Sequence, residues 1–352
     1  MNHTTQRLWL GIFGWCFLLM MSPTYTHAQV GGASGIQSRL FMSSYERSLG
    51  GVAVSLPSFG TRLPLSVNPA AARSQGEQWE ALMQTSVLTF DRAHHRVSVH
   101  APLDERLGLR VHLAQYRIGD IDGRSVSGYP TRTFTTSESM IGVQLGLAIT
   151  EQIEAGLGIS WHHSSLHPDL EPATTIGVDL GIQSTLSERY AWMIVAKDLL
   201  ATYRWTTGTI AGSSQEGSIR QGFTRRFVFG HTFSAMDRLQ MHHSITLSTQ
   251  QQDSPDQARY SESGLLLRDS GEQITRALST SFGLNWAAHS LFSVQIGLHS
   301  TPFSDVETTW KGSGGFMLDL VDVPVVETFH YAIWSEHSDI GFAHTFSLTF
   351  SL

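Results

Sequence analysis

The chain ends FAHTFSLTFSL, and alternate residues of that stretch fall into two sets. Phe342, His344, Phe346, Leu348, Phe350 and Leu352 form one; Ala343, Thr345, Ser347, Thr349 and Ser351 form the other. Successive side chains of an extended strand point to opposite faces, so this is a strand with one bulky apolar face and one small polar face. The pattern recurs. IGVQLGLAI sets Ile141, Val143, Leu145, Leu147 and Ile149 against Gly142, Gln144, Gly146 and Ala148. IEAGLGISW, LGLRVHL, IGVDLGI, LSTSFGLNW and FSVQIGL follow suit. Segments of about ten residues, apolar on one face and polar or glycine on the other, are the mark of a transmembrane β-barrel. A soluble β-sandwich shares the period, so the connections have to decide.

The alternation predicts strands near residues 79–90, 93–101, 107–118, 139–149, 153–163, 174–185, 190–199, 223–233, 239–250, 275–286, 290–300, 310–320, 325–334 and 340–352. Connections after the second, fourth, sixth, eighth and tenth are tight: PLDER, TEQ, LSER, SAMDR and AAHS. Those after the third, fifth, seventh, ninth and eleventh are longer, notably 119–138, 200–222 and 251–274. Outer-membrane barrels have short periplasmic turns and long extracellular loops. The expected fold is therefore all-β, an antiparallel barrel of about 14 strands, with the even face of the last strand toward lipid. Trp79, Trp161, Tyr190, Trp192, Trp205, Trp286, Trp310 and Trp334 fall near strand ends, where interfacial girdles place aromatics.

The N-terminus agrees with export. Arg7 precedes an apolar run from Leu8 to Met21, and Thr26-His27-Ala28 follows. This reads as a signal peptide over residues 1–28, cleaved after Ala28. The one cysteine, Cys16, lies inside it. Charged residues make up 15% of the chain, well below the roughly 25% of a soluble domain. A net charge of −7 offers no basic footprint for nucleic acid.

Residues 29–78 do not alternate. They carry LGGVAVSLPSFGTRLPLSVNPAAAR, rich in small residues and turn formers. The barrel is expected over residues 79–352, and a lumen of 14 strands is too wide for wall side chains to fill, so something plugs it or it is a water channel. Here the sequence resembles the PorV/PorQ family, relatives of the FadL-type fatty-acid transporters. The resemblance rests on Arg47, the run Leu49-Gly50-Gly51-Val52-Ala53 and Asn68-Pro69-Ala70-Ala71. It continues through YRIGDIDGRSVSGYPTRTFTTSE, ATTIGVDLGIQSTL and AWMIVAKDLLATYRW. Val67 stands where an aromatic often precedes Asn-Pro-Ala, and SLPSFG replaces an acidic pair. The resemblance implies a FadL-like barrel of residues 79–352 with residues 29–78 folded inside as a luminal hatch containing Asn68, Pro69, Gly50 and Gly51.

Other residues invite chemistry. Adjacent strand residues face opposite ways, so the pairs His94-His95, His162-His163 and His242-His243 cannot chelate one ion from within a strand, and no metal is expected. GDIDG, with Asp120, Asp122 and Gly123, lacks the closing acid of a calcium loop and reads as a turn. Lys197 and Asp198 close the seventh strand as a charge pair, while Asp179 and Glu154 belong to polar faces and are expected in the lumen. No Gly-x-Ser-x-Gly elbow, His-Glu-x-x-His motif or phosphate loop occurs, so the chain reads as a non-enzyme without a cofactor. Two functions follow. The resemblance implies an accessory of type IX secretion, binding cargo or machinery proteins through loops 119–138, 200–222 and 251–274. The alternative is a passive channel for hydrophobic small molecules. Both place the chain among outer-membrane lipids.

Overall fold

The computed structural model describes residues 34–40, 43–54, 66–73, 78–125, 127–168, 170–207, 217–253, 257–260, 266–269, 272–302, 308–321, 323, 325–337 and 341–352. The expected signal peptide, residues 1–28, and stretches 55–65 and 74–77 of the expected hatch lie outside them.

The wall starts with β1 (Glu80–Leu88), β2 (Arg92–Pro102), β3 (Leu107–Arg124), β4 (Pro130–Ala148), β5 (Ile153–Ser165), β6 (Ala173–Ser187) and β7 (Tyr190–Lys197). A hairpin of β8 (Thr202–Thr207) and β9 (Gly217–Gly222) interrupts it. β10 (Arg225–Met236) and β11 (Leu239–Asp253) follow, then a small hairpin of β12 (Gln257–Tyr260) and β13 (Leu266–Asp269). β14 (Glu272–His289), β15 (Phe292–Pro302), β16 (Thr308–Asp319), β17 (Val326–His337) and β18 (Gly341–Ser351) complete it. Without β8, β9, β12 and β13, every wall strand pairs antiparallel with its neighbours. β7 joins β10, β10 joins β11, and β18 returns to β1 from Glu80↔Ser351 to Val87↔His344. The result is a closed antiparallel barrel of 14 strands.

Closure explains the C-terminal pattern. Phe342 and Phe346 are exposed on the outer face, whereas Ala343 and Thr345 are fully buried toward the lumen. In hydrocarbon no water can satisfy a backbone group, so the last strand must find its partner in the first. Trp79, Trp161, Trp286 and Trp310 lie exposed on the outer face near strand ends. Trp205 and Trp334 do not join them. Trp205 is buried under the β8–β9 hairpin, and Trp334 turns inward, with the Arg47 guanidinium 4.9 Å from its ring centroid.

The expected extracellular loops are partly strand. β3 and β4 continue their ladder to Arg124↔Pro130, with register shifts at Ile118/Ile121 and Asp122/Arg124. Asp120 takes a positive φ of 49° at the first shift, so GDIDG is a bulged strand and not a turn. Above the membrane both faces of a strand meet water. The apolar alternation stops there although the backbone pairing does not. For the same reason the stretches 200–222 and 251–274 conceal the β8–β9 and β12–β13 hairpins.

Inside the wall lies the N-terminal segment. It forms helical turns at Ile36–Arg39 and Ser44–Ser48 and a 3-10 turn at Pro69–Ala72. Ser43 caps the second turn reciprocally with Glu46, the pattern of a capping box. Leu49, Val52 and Ala70 are fully buried. Wall glycines make the fit possible. Gly146, Gly156 and Gly181 face residues 68–73, and Gly283, Gly297 and Gly315 face residues 48–50. A Cβ on Gly297 would strike the backbone of Leu49 and Gly50; one on Gly156 would strike Pro69 and Ala70. We expect Gly297→Val to weaken hatch seating by about 1–3 kcal/mol, since the obstacle is backbone that cannot turn aside. Limited proteolysis should then cut the 43–54 region faster, while the barrel keeps its heat-modifiable gel migration.

Candidate functional site

The lower seat of the hatch centres on Asn68, which is fully buried. Its side-chain oxygen accepts from Ala70 N at 3.0 Å and caps the 3-10 turn, and Pro69 follows where a missing N–H does no harm. Asn68 Nδ2 donates to Gln183 Oε1 at 2.9 Å, and Gln183 Nε2 donates to Glu154 Oε2 at 2.6 Å. His100 Nε2 donates to Ala72 O at 2.7 Å and Arg110 to Ala71 O at 3.1 Å. The carbonyls that end the turn are thus taken by the wall. On the opposite side Gly50 and Gly51 hold φ of 79° and 73°, the left-handed region that glycine enters freely. Gly50 N donates to Ser313 Oγ at 2.7 Å, and Ser313 Oγ donates to Ser48 O at 2.9 Å. Asn68, Pro69 and Gly50 therefore meet the wall, while Gly51 N donates to Glu46 O within the segment.

Glu46 ties the two ends of this seat together. Its carboxylate accepts from Ser43 N at 2.9 Å and from Val67 N at 3.4 Å. Burial pushes its pKa above the ordinary carboxylate value, against those hydrogen bonds.

An upper clasp holds the arm that precedes the seat. Lys197 and Asp198 are adjacent, and each forms an ion pair with a residue of another strand. Lys197 Nζ bonds Asp179 Oδ2 at 2.7 Å, and Asp198 takes Arg226 at 2.9 Å. Asp198 takes a positive φ of 57° where β7 ends. Ser38 Oγ donates to Asp198 at 2.6 Å, and Arg226 donates to Ser38 O at 2.8 Å. Nearby, Glu138 accepts from Gln37 N at 3.1 Å and from Tyr203 OH at 2.9 Å. The sequence flagged Asp179, Glu154, Lys197 and Asp198. It did not flag Ser38, which lies in the turn Ile36–Arg39, or Glu138, Gln183 and Arg226, whose one signal is a polar residue on the inward face of a strand.

Between seat and clasp an apolar cluster lies among inward polar residues such as Arg96, His112 and Gln144. Ala53 and Val67 of the hatch pack with Leu82, Ala114, Met140, Met193, Val195 and Val228 of the wall. Higher up, Ala173, Ala201, Tyr203, Trp205 and Phe223 form an aromatic cluster under the β8–β9 hairpin. Across from it Leu88, Tyr116 and Ala343 receive Ile36 and Leu40 of the arm. The histidine pairs split across the wall. His162 is buried inward, while His163 stacks on the outward Trp161 at 5.8 Å. His94 is buried beside an exposed His95. His242 is buried inward against Tyr45, and His243 stacks on Phe282 at 4.6 Å.

Two outcomes follow from these contacts. Ser38→Ala should free the arm, because it leaves Asp198 with one partner fewer; a buried hydrogen bond of this type contributes about 1–3 kcal/mol. Amide exchange in residues 34–40 should speed up accordingly, with the wall unchanged. Glu46 sets a pH dependence. With its seated pKa raised, its contribution is complete below the ordinary glutamate value and is lost as pH rises through the seated value. Protection of residues 43–54, corrected for intrinsic exchange, should fall across that window. Glu46→Gln should flatten it.

No family model matches the sequence, and no characterised protein is significantly similar to it in sequence. Solved structures do match in shape. A TodX monoaromatic hydrocarbon channel mutant superposes with TM-score 0.57 at 10% identity, over 88% of this chain and 98% of that one. The Ralstonia pickettii toluene transporter TbuX gives 0.55 at 10%, over 87% and 99%. A Pseudomonas aeruginosa FadL homologue gives 0.57 at 10%, over 88% and 97%. The chain has the fold of the FadL-type outer-membrane channels.

Proposed function

We propose that this protein is a passive channel for hydrophobic small molecules across the outer membrane, with residues 29–78 as its moving hatch, residues 79–352 as its wall and residues 1–28 as its export signal. One observation carries the reading. Inside a largely polar lumen, apolar clusters lie at the extracellular end, under the hairpin, and at mid-height against the hatch. A structural plug has no need of such steps. An apolar solute gains by transfer from water onto each of them, and its concentration gradient supplies the direction. Neighbouring structures of the same fold are described as hydrocarbon channels and toluene transporters.

Movement of the hatch would open the lower end. Its bonds to the wall are short side-chain contacts that can be exchanged for water. The experiment is uptake into liposomes carrying the refolded mature chain. Labelled toluene and a labelled fatty acid should each enter faster than into empty liposomes, and Ser38→Ala should raise the rate. Uptake equal to that of empty liposomes, from barrels shown to be folded, would sink the proposal.

The secretion reading keeps one supporting observation. The β3–β4 ladder extends past the outward apolar band, and residues such as Arg124, Tyr129, Arg132 and Thr133 stand exposed on it. A protruding ribbon of this kind suits protein docking. Capture of a secretion partner by the wild type, lost on shortening residues 119–138, would favour that reading.

A further inference from the structure

We propose that the aromatic cluster under the hairpin is a ligand site and that its ligand is a small ring compound bearing a hydroxyl, of the phenol type. The inference rests on the channel reading and narrows it. Phe223 lies edge-on to His162 at 4.9 Å and to Tyr203 at 4.8 Å, and Tyr203 meets Trp205 at 5.3 Å. Such edge-on faces suit a flat ring.

The polar groups around this cluster specify the rest of the ligand. Trp205 Nε1, Thr224 Oγ1, His162 Nδ1 and both side-chain amide atoms of Gln37 are buried without a hydrogen-bond partner. These four residues are at most 7% exposed. Buried polar groups are ordinarily paired, and an unpaired one is costly. Trp205 belongs to the cluster, His162 touches its Phe223, Thr224 is the next residue in the chain and Gln37 shares Glu138 with Tyr203, so both donors and acceptors are at hand.

A hydrocarbon would leave all of them unsatisfied. A carboxylate would meet the acids Glu138 and Asp198, which hold the arm beside the cluster, while the cations Arg226 and Lys197 are already paired with Asp198 and Asp179. A neutral hydroxyl both donates and accepts and carries no charge. The arm roofs the site: Gly35, at a φ of 74°, lies so close to the Phe223 ring that a Cβ there would overlap it. The occupant enters as the arm lifts.

The test is calorimetric titration of the folded mature chain in detergent with p-cresol, toluene and p-toluate, which share a methylated ring. p-Cresol should bind about tenfold more tightly than toluene, as one to two buried hydrogen bonds would give, and p-toluate should bind least. Trp205→Phe should bring p-cresol close to toluene and leave toluene within about twofold. Thr224→Val provides the same readout if Trp205→Phe does not fold. Phe223→Ala should weaken both neutral ligands. Equal binding of p-cresol and toluene, with Trp205→Phe silent, means that water fills these groups; the ligand class is then wrong and the channel reading stands. Tightest binding of p-toluate, or indifference to Phe223→Ala, also overturns the assignment. No binding of any of the three to a heat-modifiable barrel overturns it and removes the channel reading for ring compounds as well.

Discussion

The whole molecule depends on the antiparallel ladder between β1 and β18. Hydrocarbon offers no partner to a peptide group, so a sheet with a free edge cannot stay there. Once Glu80 meets Ser351 and Val87 meets His344, each wall strand has two neighbours. Everything else answers a problem that closure creates. The outer face must be apolar because it meets lipid. The inner face is enclosed but too wide to pack on itself. The chain resolves this by placing its own N-terminal segment inside, with small wall residues where the two backbones touch.

The inner surface then serves two needs at different heights. Seat and clasp use buried polar pairs, Asn68 with Gln183 and Ser38 with Asp198, which are directional and fix the segment in one pose. The apolar clusters between and above them, around Met140 and Met193 and around Tyr203 and Phe223, fill the space that those pairs leave.

Much of this was legible in the sequence, and the limits have physical causes. Period-two alternation placed all 14 wall strands, because inside the membrane one face is forced to be apolar. It failed where that force ends: residues 119–124 and 130–138 are strand, yet both faces meet water, so no pattern marks them. Tight connections such as TEQ and AAHS were readable from length. Trp205 misled because aromatic residues suit both an interface and a buried cluster. Asn68-Pro69 was visible as a motif, but its partner Gln183 lies 115 positions away and nothing local connects them. Lys197 and Asp198 looked like partners because they are neighbours. Their ion-pair partners are Asp179 and Arg226, 18 and 28 positions away, and nothing local connects them.

Among the described residues, no backbone-to-backbone hydrogen bond joins the segment 34–73 to the wall. Every described hydrogen bond between them uses a side chain, whereas the wall strands are joined to one another by continuous backbone ladders. The strength of the ring is thus no measure of how firmly the segment inside it is held.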